Sequence, residues 1–181
     1  MSFGFPRLDE SLKGIQAAID EAFHSKVLMF AAARNNGAND GIAYPANLDQ
    51  IICVNSTDGL GNPSGYNPSA VKGRNLSVLG EDIKSSWPVK LEKGLKRKSG
   101  TSYATPIAAA LAAIVLDYAR QNVQEKDEFT ISKLRHRKGM EEVLLLMSED
   151  RRGYDYLVPW KLFDRTRSNI YGTIVDTLVK A

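Results

Sequence analysis

Hydrophobic positions follow two different rhythms along this chain. Leu8, Leu12, Ile15, Ile19, Ala22 and Phe23 return at three- and four-residue steps. That spacing predicts one apolar face of a helix over about residues 9–24, despite Gly14. KVLMFAAA, residues 26–33, is instead short and continuous and runs into the turn cluster RNNGANDG, the pattern of a buried strand. A second run, Ile51 to Val54, precedes the turn-rich STDGLGNPSGYNPS, and NLSVLG at 75–80 is a third. Buried strands of this kind after a helix predict parallel pairing in an open α/β sheet.

A further helix is expected from Ser102 to about Gln121, since alanine-rich stretches favour helix and an almost wholly apolar helix is buried. Pro106 falls in its first turn, where the missing N–H costs little. QEKDE reads as a solvated connector, and Leu134, Val143, Leu144 and Met147 mark a helix over 130–149 with a weak spot at Gly139. Ile170, Ile174, Val175 and Leu178 mark a last short one. MSFGFP looks like the end of a strand, so the sheet is expected to lack its N-terminal part.

With 181 residues, 43% of them hydrophobic, the chain can build one full core. Net charge is +3, and KLEKGLKRK at 90–98 alone contributes +4, five basic residues against one Glu. The remainder is near neutral, so neither a nucleic-acid partner nor a membrane surface is expected. The single cysteine, Cys53, sits in an apolar run and reads as a small buried hydrophobe, with no disulfide to demand an oxidising compartment. His24 and His136 lie far apart with no ligand-spaced partner, so no metal site is expected. The N-terminus lacks a secretory layout, which points to the cytoplasm.

Ser102 stands at the mouth of the alanine-rich helix, where most serines simply cap. Three features favour a nucleophile instead. Gly100 permits close backbone approach. The helix N-terminus offers free N–H groups to an oxyanion. Asn35 and Asn36 supply amides at the end of the first strand.

SGTSYATP at 99–106 resembles the nucleophile motif of the subtilisin-like serine proteases, and AAARNNG at 31–37 resembles their oxyanion strand. YPA at 44–46, IICVNSTD, NLSVLGEDIKSS and SFG at 2–4 resemble further family segments in the same order. The resemblance covers residues 1–120, the C-terminal portion of a catalytic domain, and implies a three-layer α/β fold with a mostly parallel sheet and a serine endopeptidase acting on polypeptide substrates. It implies Ser102 as nucleophile and Asn35 as side-chain donor in the oxyanion hole. Ser2, Phe3, Gly4, Ala32 and Ala33 would flank the substrate, whose extended backbone would add to the SFG edge. Many relatives bind calcium, but no cofactor site is identified in this sequence. Arg34 replaces the family's glycine before the oxyanion asparagine, where it could narrow the pocket, recruit an acidic side chain or point away. Residues 121–181 are expected to form a helical extension of the same unit. Their stretch GMEEVLLLMSEDRRGYDYLVPW resembles the segment C-terminal to such domains in some fungal intracellular proteins.

The family's triad runs Asp, His, Ser, and its first two members precede the SFG strand. Here that strand begins at residue 2, so triad Asp and His have no counterpart. His24 precedes a strand of eight residues whose far end is Asn35, more than about 20 Å away, whereas a general base must approach within about 3 Å. His136 reads as part of a solvated basic face. In subtilisin itself, loss of the triad histidine or serine costs on the order of 10⁶ in turnover. The chain alone is therefore expected to be inactive, either as part of a protease whose other half supplies the base, or as a relic that binds peptides.

Overall fold

The structure is a computed structural model that describes residues 1–92, 94–122, 128–164 and 169–180, with only the backbone at 91 and 92. The connector expected at QEKDE lies, apart from Glu128, outside the described residues, as does Lys93 of the basic run.

Asp9 opens the first helical segment by accepting from the Ser11 N–H at 2.9 Å, and a 3-10 turn, Glu10–Leu12, leads into α1, Lys13–His24. Strands β1 (Phe30–Ala32), β2 (Ile52–Thr57) and β3 (Leu76–Leu79) follow and pair in parallel, with Ala31 opposite Cys53 and Ser56 opposite Val78. The period of two assigns their side chains to two cores. Ala31, Ala33, Ile51 and Cys53 join Leu12 and Ile19 beneath α1, whereas Phe30, Ile52, Val54, Leu76 and Val78 face the helices on the other side. The mostly parallel α/β sheet is that expected from the pattern, and its three layers are those the resemblance implies.

Helix α3, Thr101–Asn122, covers the second face through Ala104, Ala108, Ala112, Val115 and Ala119. Small side chains at this spacing let its backbone lie close to β1, β2 and β3. By length and composition alone α3 would pass as a membrane-crossing helix; here its alanine face is packed against the sheet.

Four differences from the sequence pattern have physical causes. First, β1 spans three residues of the eight in KVLMFAAA, because Lys26 turns with φ +57° and the chain then only approaches the sheet. Second, β2 runs on to Thr57, into sequence that reads as turn. Its buried Asn55 and Ser56 are satisfied locally: Asn55 donates to the Arg74 carbonyl at 3.0 Å, and Asn67 exchanges hydrogen bonds with the Ser56 backbone. Third, the helix expected over 130–149 is two, α4 (Glu128–Leu134) and α5 (Arg137–Leu146), broken at His136 rather than at Gly139. Fourth, the segment after residue 120 is not only helical. Strands β6 (Ser148–Arg151) and β7 (Tyr154–Leu157) form a hairpin, and β7 pairs in parallel with β3, giving the order β1-β2-β3-β7-β6. Between β3 and α3 a second, separate hairpin stands out from the sheet. It consists of β4 (Ile83–Ser86), a short helix α2 (Val89–Glu92) and β5 (Leu95–Lys98). Neither strand has a fully buried residue and the half-covered positions of β5 are lysines, so no apolar alternation reveals them in the sequence. The last helix, α6 (Ile170–Lys180), buries Ile174 and Leu178 as expected.

Burial pushes the Cys53 thiol up to about 12. Its thiolate, the reactive form, is therefore scarce in the folded chain. Ellman's reagent at mildly alkaline pH should leave native Cys53 untouched and react only as denaturant opens the sheet. Prompt labelling of the native chain would show that this face of the sheet is open.

Candidate active site

The loop carrying Ser102 is fixed between two glycines. Gly100 has φ +152°, and its N–H donates to the Gly80 carbonyl at 2.9 Å. A Cβ on Gly80 would stand 3.0 Å from both the Gly100 oxygen and the Ala104 Cβ, and 2.4 Å from Ser56 Oγ. Only glycine at 80 lets the end of β3 pass under the start of α3.

Helix α3 begins at Thr101, so Ser102 is its second residue and not its cap. The capping task falls to Asn35, far away in sequence. Its Oδ1 accepts from the Thr101 N–H at 2.8 Å and from Thr101 Oγ1 at 3.1 Å. Because a backbone N–H can only donate, the amide oxygen must face Thr101, and Nδ2 is left as the outward donor. Asn35 Nδ2 and the Ser102 N–H have no acceptor among the described residues. Both residues line one cleft of about 370 Å³. Two unclaimed N–H donors beside a serine hydroxyl can stabilise negative charge developing on an oxygen.

The Ser102 hydroxyl itself donates to the Ser2 carbonyl at a long 3.4 Å, and Ser2 Oγ donates back to the Ser102 carbonyl at 3.0 Å. A carbonyl cannot take a proton near neutral pH, so this contact orients the hydroxyl without activating it. Among the described residues, the cleft lining holds no histidine, Asp or Glu. His24 ends α1, and its Nδ1 donates to the Asp20 carbonyl at 2.6 Å. His136 precedes α5 and borders a different cavity with Phe129, Lys133 and Gly139.

Ser2, Phe3, Gly4, Ala32, Asn35 and Ser102 thus share one cleft. Ala33 is left out of it: the residue is fully buried, its N–H donating to Val54 and its carbonyl accepting from Ala43. Residues 2–4 are exposed, and the flanking residues fix their path. Met1 bonds to Phe30 and Ala32 of β1, and Phe5 forms an antiparallel bridge with Tyr44. The backbones of Phe3 and Gly4 pair with nothing among the described residues, which leaves an extended edge open to another strand. Arg34 also lines the cleft, tied to Asp40 at 3.2 Å, so of the three possibilities it recruits an acidic side chain. Two residues of the site escape the sequence pattern. Thr101 gives as its only signal its place in GTS directly before the serine, and Gly80 is marked by packing alone. Among the described residues no three His, Cys, Asp or Glu side chains converge on one point.

The Peptidase_S8 model, described as the subtilase family, matches residues 1–155. The chain is 32% identical over 163 residues to the subtilisin-like protease het-Q2 of Podospora anserina, covering 85% of this chain and 44% of that protein. It is 35% identical over 121 residues to subtilisin DY of Bacillus licheniformis, covering 64% of this chain and 41% of the relative. The chain therefore spans less than half the length of these curated relatives. Among solved structures, the S218A mutant of the PatA protease domain superposes with a TM-score of 0.70 at 25% identity, covering 96% of this chain and 59% of that one. The prenylagaramide maturation protease PagA gives 0.66 at 22% identity, covering 88% and 56%, a likeness of fold. With a family match over most of its length and these relatives beside it, the chain belongs to the subtilase family of serine proteases.

Proposed function

We propose that this chain carries the nucleophile and oxyanion hole of a subtilisin-like endopeptidase and that it does not turn over peptide bonds unaided. The observation behind this reading is the pairing of Ser102 with two open N–H donors in a cleft that, among the described residues, is lined by no base. Peptide would enter extended along Phe3 and Gly4. Ser102 Oγ would attack the scissile carbonyl carbon, and the oxygen would take its negative charge between Asn35 Nδ2 and the Ser102 N–H. The hydroxyl proton must then leave, and the leaving amine must gain one, tasks for a base that Ser2 cannot perform.

We infer that this base comes from a further polypeptide segment docking beside β1. An apolar groove of about 370 Å³ lies there, lined by Met1, Leu28, Met29, Phe30, Pro106 and Ala109 among others. The second reading, a peptide-binding relic, draws on the same missing base.

Added imidazole separates the two. Neutral imidazole is small enough for the cleft and can accept the Ser102 proton while Oγ bonds to the phosphorus of a fluorophosphonate probe and fluoride leaves. The chain alone should label poorly, because an unassisted serine hydroxyl is a weak nucleophile. Labelling should grow with imidazole concentration and with pH through the titration of imidazole, and Ser102→Ala should abolish it. A folded chain that imidazole fails to rescue would favour the relic.

A further inference from the structure

The hairpin β4–β5 is a charged arm rooted at the nucleophile loop. From residue 83 to 98 it carries six basic side chains against one Glu, leaving the remainder of the chain net negative. Its base is clamped where Gly100 bonds to Gly80 and the Asp82 N–H bonds to Ser99 Oγ at 2.9 Å. Lys98 is four residues before Ser102, so the two Cα atoms are at most about 14 Å apart by chain length alone.

The register divides the arm into two faces. Lys84 opposes Arg97, and Arg97 is spent on Asp82, at 2.7 Å from its carboxylate and 3.0 Å from its carbonyl. On the other face Ile83 opposes Lys98 and Ser85 opposes Lys96. The ammonium groups of Lys98 and Lys96 stand 4.5 and 5.2 Å from the centre of the Trp87 ring. The indole thus gathers two like charges onto one small area. No carboxylate pairs with Lys98 among the described residues.

We propose that this face docks an acidic segment of the polypeptide that enters the cleft, a carboxylate seated on Lys98 beside Trp87. The proposal rests on the reading of the cleft as a peptide site. Single-stranded nucleic acid fits less well, because bases need open aromatic faces to stack on and the lysine ammoniums occupy the Trp87 ring. The acidic segment would add charge attraction at the rim, which governs partner choice and encounter rate more than tightness.

Trp87 and Trp160 are the only tryptophans, so Trp160→Phe in the full chain leaves Trp87 as the sole indole reporter. A blocked hexaglutamate peptide should perturb its emission, while a Gly-Ser peptide of equal length should not. Binding should weaken on going from about 50 to about 500 mM salt. Lys98→Glu should weaken it about fivefold, the upper end of the scale for one exposed ion pair. Lys98→Ala, which introduces no repulsion, should fall between. Equal hexaglutamate binding by Lys98→Glu and the parent, no salt dependence in the parent, or tighter binding of an RNA oligonucleotide would each overturn the proposal. Imidazole-dependent Ser102 labelling is read on the same preparation. Loss of peptide binding with labelling intact defeats the docking arm alone, and the reverse result defeats only the catalytic reading.

Discussion

Replacing Asn35 with leucine should slow the imidazole-dependent labelling of Ser102 by a factor on the order of 10²–10³, the loss known for such a donor in subtilisin itself. Two effects are mixed in that variant. Leucine removes the Nδ2 donor, and it also strips Thr101 of the oxygen that both its N–H and its hydroxyl use. The second effect would loosen the start of α3 and displace Ser102. Asn35→Asp separates them, because a carboxylate still accepts from Thr101 yet presents an acceptor where the donor stood. Its melting temperature should stay close to the parent's while its labelling falls at least as far as the leucine variant's. If Asn35→Asp labels like the parent, Nδ2 is not an oxyanion donor and Asn35 is only a cap.

The second large effect concerns stability. Among the glycines that lie within helices, Gly14 and Gly139 are treated alike by intrinsic propensity. A Cβ on Gly139 would lie 2.3 Å from the Lys133 carbonyl oxygen, 2.9 Å from its carbon and 3.2 Å from Leu178 Cδ2. The first contact is to backbone, and the neighbours Met140, Val143, Leu134 and Leu178 are all fully buried, so nothing nearby can yield easily. Gly139→Ala should therefore cost about 3 kcal/mol or more, the upper range for overpacking a core. Around Gly14 nothing lies within 4 Å of the corresponding Cβ. Gly14→Ala should stabilise by about 0.5–1 kcal/mol, by restricting the unfolded chain in a conformation alanine adopts freely. Urea melts of both variants give the comparison, and destabilisation of the two by equal amounts would refute it.

The parts of the fold that the sequence displays are those in which burial imposes a period. Leu12, Ile15 and Ile19 reveal α1, and the continuous apolar run from Ile51 to Val54 reveals β2, because each must face a core. The β4–β5 hairpin escapes notice because Lys84, Lys96, Arg97 and Lys98 stand in water or over an indole, where no face selects hydrophobic residues. The continuation of β2 through Asn55, Ser56 and Thr57 escapes for the opposite reason. The side chains of Asn55 and Ser56 are buried, and partners brought in from later loops, the Arg74 carbonyl for Asn55 and the Ser64 and Tyr66 hydroxyls for Ser56, make that tolerable.

At the site, the motif around Ser102 and the asparagine at residue 35 were legible because both are local strings of residues. Their relation was not. The layers of the sheet, the candidate nucleophile and the family resemblance can all be read from the order of residues alone. That Asn35 caps a helix beginning 66 residues later, which orients its amide toward the cleft, is visible only once the chain is folded. The same holds for the meeting of Ser2, rather than any acid or base, with the Ser102 hydroxyl, and for the methyl group that Gly14 can bear and Gly139 cannot. The difference is one of range. Propensity and hydrophobic period act between residues a few positions apart, whereas a donor's orientation and the space beside a Cβ are set by atoms that only the folded chain brings together.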